Sequence, residues 1–267
     1  MADLIFMGLR IGLRASAFRF SLFASVLLIV AAVLASSFSG RQPLTVGLDV
    51  GLSGLRFVLL LMVLIWSHEL LGRDIERKNL YFSLAYPISR TQFLWARFAS
   101  LAMLALLATM MIGLALALAL GWLAGDYQQQ TPSGMGFELF VVLLGIWLDA
   151  LVVAGLALLL CTLSTTPFLP LLLGLAFALA ARGLGPTFDY LRQQAGADPD
   201  HIRWFSPVLE CSYLWLPDLS RLDWRGLALY QLPWEQLEIA QSVLMAVCYL
   251  VALLALASLI FERRDLV

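Results

Sequence analysis

Residues 68–98 read HELLGRDIERKNLYFSLAYPISRTQFLWARF and separate two apolar stretches, each long enough to cross a membrane. Ionised side chains at the centre of a bilayer are costly, so a stretch with this much charge must lie in water. We expect it to lie in the cytoplasm, because loops rich in lysine and arginine are retained on that side of the membrane. Its basic residues are Arg73, Arg77, Lys78, Arg90 and Arg97.

The composition describes an integral membrane protein. Hydrophobic residues make up 61% of the 267 residues, charged residues 13%, and the mean hydropathy is +0.89. These values exclude an ordinary water-soluble domain. Continuous apolar runs, each close to the ~20 residues that a membrane helix needs, predict six transmembrane helices in an all-α fold and a single transmembrane domain over 1–267. The runs are 20–38, 50–68, 99–124, 138–161, 167–185 and 239–261.

The basic residues also predict the orientation of the chain. With the N-terminus inside, the arginines of the N-terminal segment, of 68–98 and of the C-terminus all fall on the cytoplasmic side. The loops outside carry only Arg41 before residue 186. We therefore expect both termini in the cytoplasm.

Residues 186–238 form the long extracytoplasmic segment of this topology. The segment is net acidic and contains many aromatic residues and several prolines. Tryptophan and tyrosine favour the membrane–water interface, so we expect short helices that lie on the outer leaflet and cover an exit.

Residues 1–19 carry basic residues throughout and predict an N-terminal helix in the membrane interface. Arg10 and Arg14 lie one helical turn apart, while Ile5, Leu9 and Leu13 fall on another stripe. The alternative is a simple cytoplasmic extension of the first span.

Three charges lie inside predicted spans at a similar depth. From the cytoplasmic ends, Arg56 lies about 18 Å, Asp149 about 20 Å and Arg182 about 21 Å into the membrane, at ~1.5 Å per residue. We expect an ion pair between Asp149 and Arg182, with Arg56 completing the cluster or facing a path for an anionic substrate. A buried tether and a role in substrate or proton movement both remain open.

The sequence contains no motif for catalysis or for nucleotide binding. It has no nucleophile elbow, no zinc-binding HExxH and no phosphate-binding GxxxxGK[ST] sequence. We therefore expect no catalytic residue, no metal site, no cofactor bound by this chain and no nucleic-acid partner. Any energy must come from another protein or from an ion gradient.

Within 68–98 the spacing predicts a helix, a break and a second helix. Glu69 precedes Arg73 and Asp74 precedes Lys78 by four residues, the order that favours helical ion pairs. Pro87 then disfavours helix at Tyr86. Ser89 stands where it can cap the next helix. The result is a docking surface or, alternatively, a basic loop with no partner.

Two segments carry a family resemblance. DIERKNLYFSLAYPISRTQFLWARF, residues 74–98, resembles the segment between the second and third spans of type 2 ABC transporter permeases, with its Leu-x-x-Pro-[Ile/Val]-Ser-Arg turn. The ending FERRDLV, residues 261–267, is similar to the Phe-x-x-Arg-Asp ending of the same permeases. Within that family, the chain resembles the subgroup that contains the permeases of nitrous oxide reductase maturation and of gliding motility.

The resemblance implies a permease subunit in the inner membrane of a bacterium. Two P-loop ATPase subunits, which bind ATP and Mg²⁺, would act on two permeases, identical or different. Export, action on a periplasmic partner protein and an intramembrane enzyme that uses Asp149 are the alternatives. Besides these proteins we expect membrane lipid as a partner.

By the same resemblance, residues 69–95 are the cytoplasmic coupling segment, and residues 161–167 are a smaller second contact. The residues expected to contact the ATPase or to shape this segment are Glu69, Asp74, Glu76, Arg77, Tyr81, Phe82, Pro87 and Arg90.

Overall fold

The computed structural model describes residues 2–76, 89–123, 134–164, 166, 168–194 and 216–263. The apolar runs form helices because a helix satisfies its own backbone hydrogen bonds where no water is available. The helices are α1 (Ala2–Arg14), α2 (Ser16–Phe38), α3 (Pro43–Ser67), α4 (Arg73–Glu76), α5 (Arg90–Leu123), α6 (Phe137–Leu163), α7 (Phe168–Gln194), α8 (Arg225–Tyr230) and α9 (Ile239–Arg263).

Six of these helical stretches are long and apolar enough to cross a membrane, which confirms the predicted all-α class and the six spans. The second span differs most from its predicted bounds. It runs over Pro43–Ile75 instead of 50–68 and includes Asp49 and Arg56. The sequence window missed this length because Asp49 at one end, and Glu69, Arg73 and Asp74 at the other, lower the local hydropathy.

The helix α6 lies at the centre of the bundle. It packs against α3, α5, α7 and α9, and most of its residues are buried. The helices α2, α7 and α9 instead keep many large apolar side chains exposed. A membrane helix that faces lipid has this composition, so these three helices form much of the apolar outer surface.

The N-terminal helix α1 is separate from the first span, because Ala15 adopts extended geometry between α1 and α2. It packs along α5, with Gly8 against Ser100 and Gly12 against Leu104. A side chain at either glycine would overlap its neighbour, so the two helices approach closely. The helix α1 is therefore not a continuous helical extension of α2, while its place in the membrane interface stays a prediction.

The helix α3 continues without a break through a π-helical turn, His68–Gly72, into α4. The predicted helix beyond the second span is thus present as far as Glu76. Ser89 caps α5 as predicted. Its Oγ accepts from the backbone N–H of Gln92 at 3.2 Å, and the Gln92 side chain accepts from the Ser89 backbone N–H at 3.4 Å. We call the end of the bundle formed by α4 and the start of α5 the α4 end.

Residues 216–230, here named the inserted element, differ from the expected surface layer. They contain a 3₁₀ turn, Leu219–Leu222, and the short helix α8, and both contact the bundle. Leu219, Trp224 and Ala228 are buried. Irregular backbone at membrane depth is stable only when protein or water surrounds it, and here α3, α6, α7 and α9 surround it.

The helix α7 continues beyond the predicted fifth span, 167–185, through Pro186 to Gln194. The end of the bundle that holds α8 is the α8 end.

Candidate functional site

One face of α3 carries polar side chains toward the inserted element. Asp49, Ser53 and Arg56 follow each other at spacings of four and three residues, so they project from the same side of the helix. The inserted element lies against this face. The polar face of α3 therefore determines the position of the inserted element.

All three nitrogen atoms of the Arg56 guanidinium group donate hydrogen bonds. Its Nε donates to Asp149 Oδ2 at 2.6 Å, one Nη donates to Asp223 Oδ2 at 2.9 Å, and the other donates to the Leu219 carbonyl at 2.7 Å. The planar fork of arginine suits such simultaneous contacts. A single buried side chain thus joins α3 to α6 and to both halves of the inserted element.

Asp149 is fully buried in the middle of α6. Arg182 of α7 lies with one Nη 2.8 Å and its Nε 3.1 Å from Asp149 Oδ2. The structure therefore brings together Arg56, Asp149 and Arg182, the three charges that the sequence placed at one depth. All of these arginine contacts fall on Oδ2, and Oδ1 has no hydrogen-bond partner among the described residues.

Asp223 and Arg225 extend the cluster toward the α8 end. Arg225 donates to both oxygens of Asp223, at 2.7 Å each, and also contacts Asp49 at 3.1 Å and Ser53. Burial by itself raises the pKa of Asp223, but the hydrogen bond from Arg225 and the charges of Arg56 and Arg225 outweigh it, so that pKa is lowered. The hydrogen bond to Asp223 in turn raises the pKa of Arg225.

Together these residues form a balanced network, which we call the charge cluster. Three arginines face three aspartates, so the cluster carries no net charge when all six side chains are ionised. Removing one partner of a buried pair leaves an uncompensated charge. The stability of each side chain in the cluster therefore depends on the others. The cluster members are Asp49, Arg56, Asp149, Arg182, Asp223 and Arg225.

A second polar region lies at the α4 end. Arg97 of α5 donates to Asp74 of α4 at 2.7 Å, and its guanidinium stands 4.8 Å from the centre of the Phe93 ring. This ion pair joins the last turn of the α3–α4 helix to the first part of the next span.

Arg90 performs a related role for the last helix. One of its Nη atoms donates to the carbonyls of Phe261 and Glu262 at 3.3 and 3.1 Å. These carbonyls belong to the last turn of α9, where cations are favoured. The start of α5 is thus joined to the end of α9.

The other predicted contact residues are placed as follows. Glu69 is buried within the π-helical turn, and Glu76 is the last residue of α4. Arg77, Tyr81, Phe82 and Pro87 lie outside the described residues. The role of all these residues stays a prediction.

The comparison with known families decides the identity of the chain. Residues 16–266 match the family described as ABC-2 family transporter protein. The chain belongs to the ABC-2 family. It is therefore a multi-pass membrane permease of an ABC transporter, and membership implies association with an ABC ATPase and a second permease. Permeases of the ABC-2 family are normally non-catalytic subunits. No curated protein matches the chain significantly.

Sequence reasoning missed half of the charge cluster. Asp49 and Arg56 lie seven residues apart, which is two helical turns, and that spacing is visible in the sequence. Asp223 and Arg225 gave no such signal. They follow a long segment, and sequence patterns do not predict the course of that segment. They were expected at the membrane surface instead.

Proposed function

We propose that this ABC-2 permease couples ATP hydrolysis by a separate ATPase to translocation across the bacterial inner membrane. In this proposal both termini and residues 69–95 face the cytoplasm, ATP and Mg²⁺ bind to the ATPase, and two ATPase subunits act on two permeases. The α4 end is then the cytoplasmic end.

The observation that carries the proposal is the continuity of α3 and α4. From Asp49 to Glu76 the helix is unbroken, which corresponds to about 40 Å at 1.5 Å per residue. One end carries the polar face that binds the inserted element, and the other end leads directly into the proposed coupling segment. A displacement imposed at Glu76 would therefore reach the charge cluster through a single rigid helix.

The charges at the α4 end support the same orientation. Arg73, Arg90, Arg97 and Arg263 all lie at this end, whereas the turn between α2 and α3 at the α8 end carries Arg41. An excess of basic residues marks the cytoplasmic side of a membrane protein.

The experiment measures retention of the ATPase. The tagged chain is extracted in mild detergent, and ATP hydrolysis per mole of chain is measured in the purified sample. Substituting both Glu76 and Arg77 with alanine should lower this activity about fivefold or more, which corresponds to about 1 kcal/mol of lost association. In vesicles, the same variant should hydrolyse ATP without coupled transport.

The matched control is Arg41→Ala, which removes an exposed arginine at the opposite end of the bundle. It should keep the wild-type ATPase activity, and both variants should reach the membrane in normal amounts. Unchanged ATPase retention together with unchanged coupled transport in the Glu76 and Arg77 variant would overturn the assignment of the coupling segment.

A second candidate is force transmission to an extracytoplasmic partner. It is supported by the inserted element, which is bonded to α3 through Arg56 and Arg225 and would move with that helix. The likeness to the permeases of nitrous oxide reductase maturation and of gliding motility favours this version. An intramembrane enzyme is less well supported, since two arginines engage Asp149 and fix its carboxylate in place.

A further inference from the structure

The π-helical turn His68–Gly72 holds a spare residue within the α3–α4 helix. The backbone N–H of Arg73 donates to the carbonyl of His68, five residues earlier, whereas a regular α-helix bonds four residues back. The turn therefore contains one residue more than an α-helical turn between the same neighbours. Such turns are rare, and they occur frequently at functional sites.

Tightening this turn to regular α-helix shifts α4 by one residue. The N–H of Gly72 then donates to the His68 carbonyl, so every later residue takes the place of the residue that follows it. One residue corresponds to a rotation of about 100° and a rise of about 1.5 Å. The observed arrangement is here named the π register and the tightened one the α register. The helix is continuous in both registers, so a displacement along its axis reaches the charge cluster in either one.

The charges on α4 distinguish the two registers. In the π register Asp74 lies 2.7 Å from Arg97, whose side chain is only 7% exposed, and Arg73 is exposed. In the α register Arg73 takes the place of Asp74 and meets Arg97. Two positive charges at such a short distance repel each other, most strongly where little water is present. The order of Arg73 and Asp74 therefore favours the π register.

The packing beside the turn acts in the same direction. A Cβ atom at Gly72 would lie 2.5 Å from His68 Nδ1. In the α register Leu71 takes the place of Gly72, so the His68 ring must first swing away. A side chain can change its rotamer without moving the backbone, so this contact raises the barrier to the change without preventing it.

We propose that the turn His68–Gly72 is a register switch that rotates α4 by one residue relative to α3. The ion pair of Asp74 with Arg97 holds the switch in the π register, and a change in the charge that faces Arg97 releases it. The switch is a property of this chain alone and is tested without the ATPase. Its effect on the coupling segment, a change in the face that the segment presents, rests on the proposed function.

The test measures the register in the full chain in lipid nanodiscs. The three native cysteines are replaced by alanine, and spin labels are attached at Glu76→Cys, at the end of α4, and at Leu259→Cys, an exposed position of α9. Pulsed electron paramagnetic resonance gives the distances between the labels. A rotation of about 100° moves a side chain that lies about 5–6 Å from the helix axis by about 8 Å. The native order of charges should give one main distance, and the α register a second one displaced by several ångströms, up to about 8 Å.

Exchanging the two charges of α4 should reverse the preference. In Arg73→Asp with Asp74→Arg, the π register places an arginine against Arg97, whereas the α register places an aspartate there. The displaced distance should then predominate. Asp74→Arg alone provides no carboxylate in either register, so it should unfold at a lower temperature than the exchanged pair. An exchanged pair that keeps the original distance and unfolds like Asp74→Arg would overturn the proposal.

Gly72→Ala tests the switch without altering a charge, and it decides the question if the exchanged pair does not fold. The added Cβ is crowded by His68 in the π register, but Gly72 moves to the exposed place of Arg73 in the α register. The fraction of molecules at the displaced distance should increase about fivefold or more. Gly121→Ala is the matched control, because a Cβ atom there has no neighbour within 4 Å, and it should leave the distances unchanged. Equal distances in both variants would contradict the switch.

Deleting Leu71 separates a change of register from local unfolding. The deletion removes the spare residue, so a regular α-helix then keeps Arg73 bonded to His68 and Asp74 beside Arg97. Exchanging the charges of Arg73 and Asp74 in this background should give no displaced distance. If the displaced distance persists in the deletion background, it reports the unfolding of α4, and the proposal is wrong.

Discussion

The two ends of the α3–α4 helix are fixed to their neighbours in different ways. Near the α8 end, Arg56 and Arg225 connect α3 to α6 and the inserted element, and Arg182 adds α7 through Asp149. At the α4 end, Asp74 and Arg97 form an ion pair of 2.7 Å, in which the Asp74 side chain is 21% exposed. A network of buried partners resists separation of its elements, while a partly exposed pair near the end of a helix permits adjustment. The helix thus has a fixed end and an adjustable end.

The largest expected loss of stability comes from disrupting the charge cluster at the fixed end. Arg56→Met removes one of the two arginines that contact Asp149 and one of the two that contact Asp223, so three aspartates then face two arginines. Breaking a buried pair in this way costs about 3–5 kcal/mol. We expect a strong decrease in the thermal unfolding temperature in detergent and a lower yield of membrane-inserted protein.

Arg41→Met is the matched control, because Arg41 is exposed in the turn between α2 and α3. Its unfolding temperature should equal that of the wild type. If Arg56→Met unfolds at the same temperature as this control, the charge cluster is not the tether that distinguishes the two ends.

The second effect tests whether the inserted element must sit close to α6. A Cβ atom at Gly145 would lie 2.7 Å from the Trp224 ring and 2.8 Å from the Leu222 carbonyl. Gly145→Ala should therefore push the element away from Arg56 and cost about 1–3 kcal/mol through overpacking. Thermal unfolding measures the loss of stability.

The control for this substitution is Gly183→Ala in α7, because a Cβ atom there has no neighbour within 4 Å. Alanine favours helix over glycine by up to about 1 kcal/mol, so this variant should be as stable as the wild type or more so. Similar destabilisation by both alanines would show that the contact between Gly145 and Trp224 is unimportant.

Features that depend on local sequence were predictable from the sequence alone. The six spans follow from local hydropathy, and the Ser89 cap follows from a local pattern, so both were predicted correctly. The proximity of Arg56, Asp149 and Arg182 could be inferred from their positions along the spans. The fixed rise per residue of a helix places all three charges at a similar depth in the membrane.

The inserted element could not be predicted in the same way. Its position depends on contacts between residues far apart in the chain, such as Arg56 with Asp223. Trp224 fits a surface helix by composition, yet it is buried beside Gly145. Aromatic composition predicts an interface but does not distinguish the membrane surface from the interior of the bundle.

A smaller effect on stability is expected at the adjustable end. Arg97→Gln removes the ion pair with Asp74, whose side chain is 21% exposed and can gain solvation. The loss should be about 1–2 kcal/mol, below that of Arg56→Met. Arg97→Lys, which keeps the charge, should recover part of this loss in the same unfolding measurement. If Arg97→Gln destabilises as much as Arg56→Met, the two ends do not differ in strength.

The smallest effect is the dependence of the fixed end on pH. The folded-state pKa of Asp223 is lowered by Arg225 and Arg56 against the opposing effect of burial, so its ionised form stabilises the fold above the ordinary carboxyl pKa. This contribution is lost as the pH falls through the lowered pKa. Between about pH 7 and about pH 3, the wild type should therefore lose more thermal stability than Asp223→Asn, which cannot ionise. Asp189→Asn, an exposed residue of α7, is the control and should follow the wild-type profile. Parallel profiles for the wild type and Asp223→Asn would show that Asp223 contributes packing and hydrogen bonds to the fixed end but no charge.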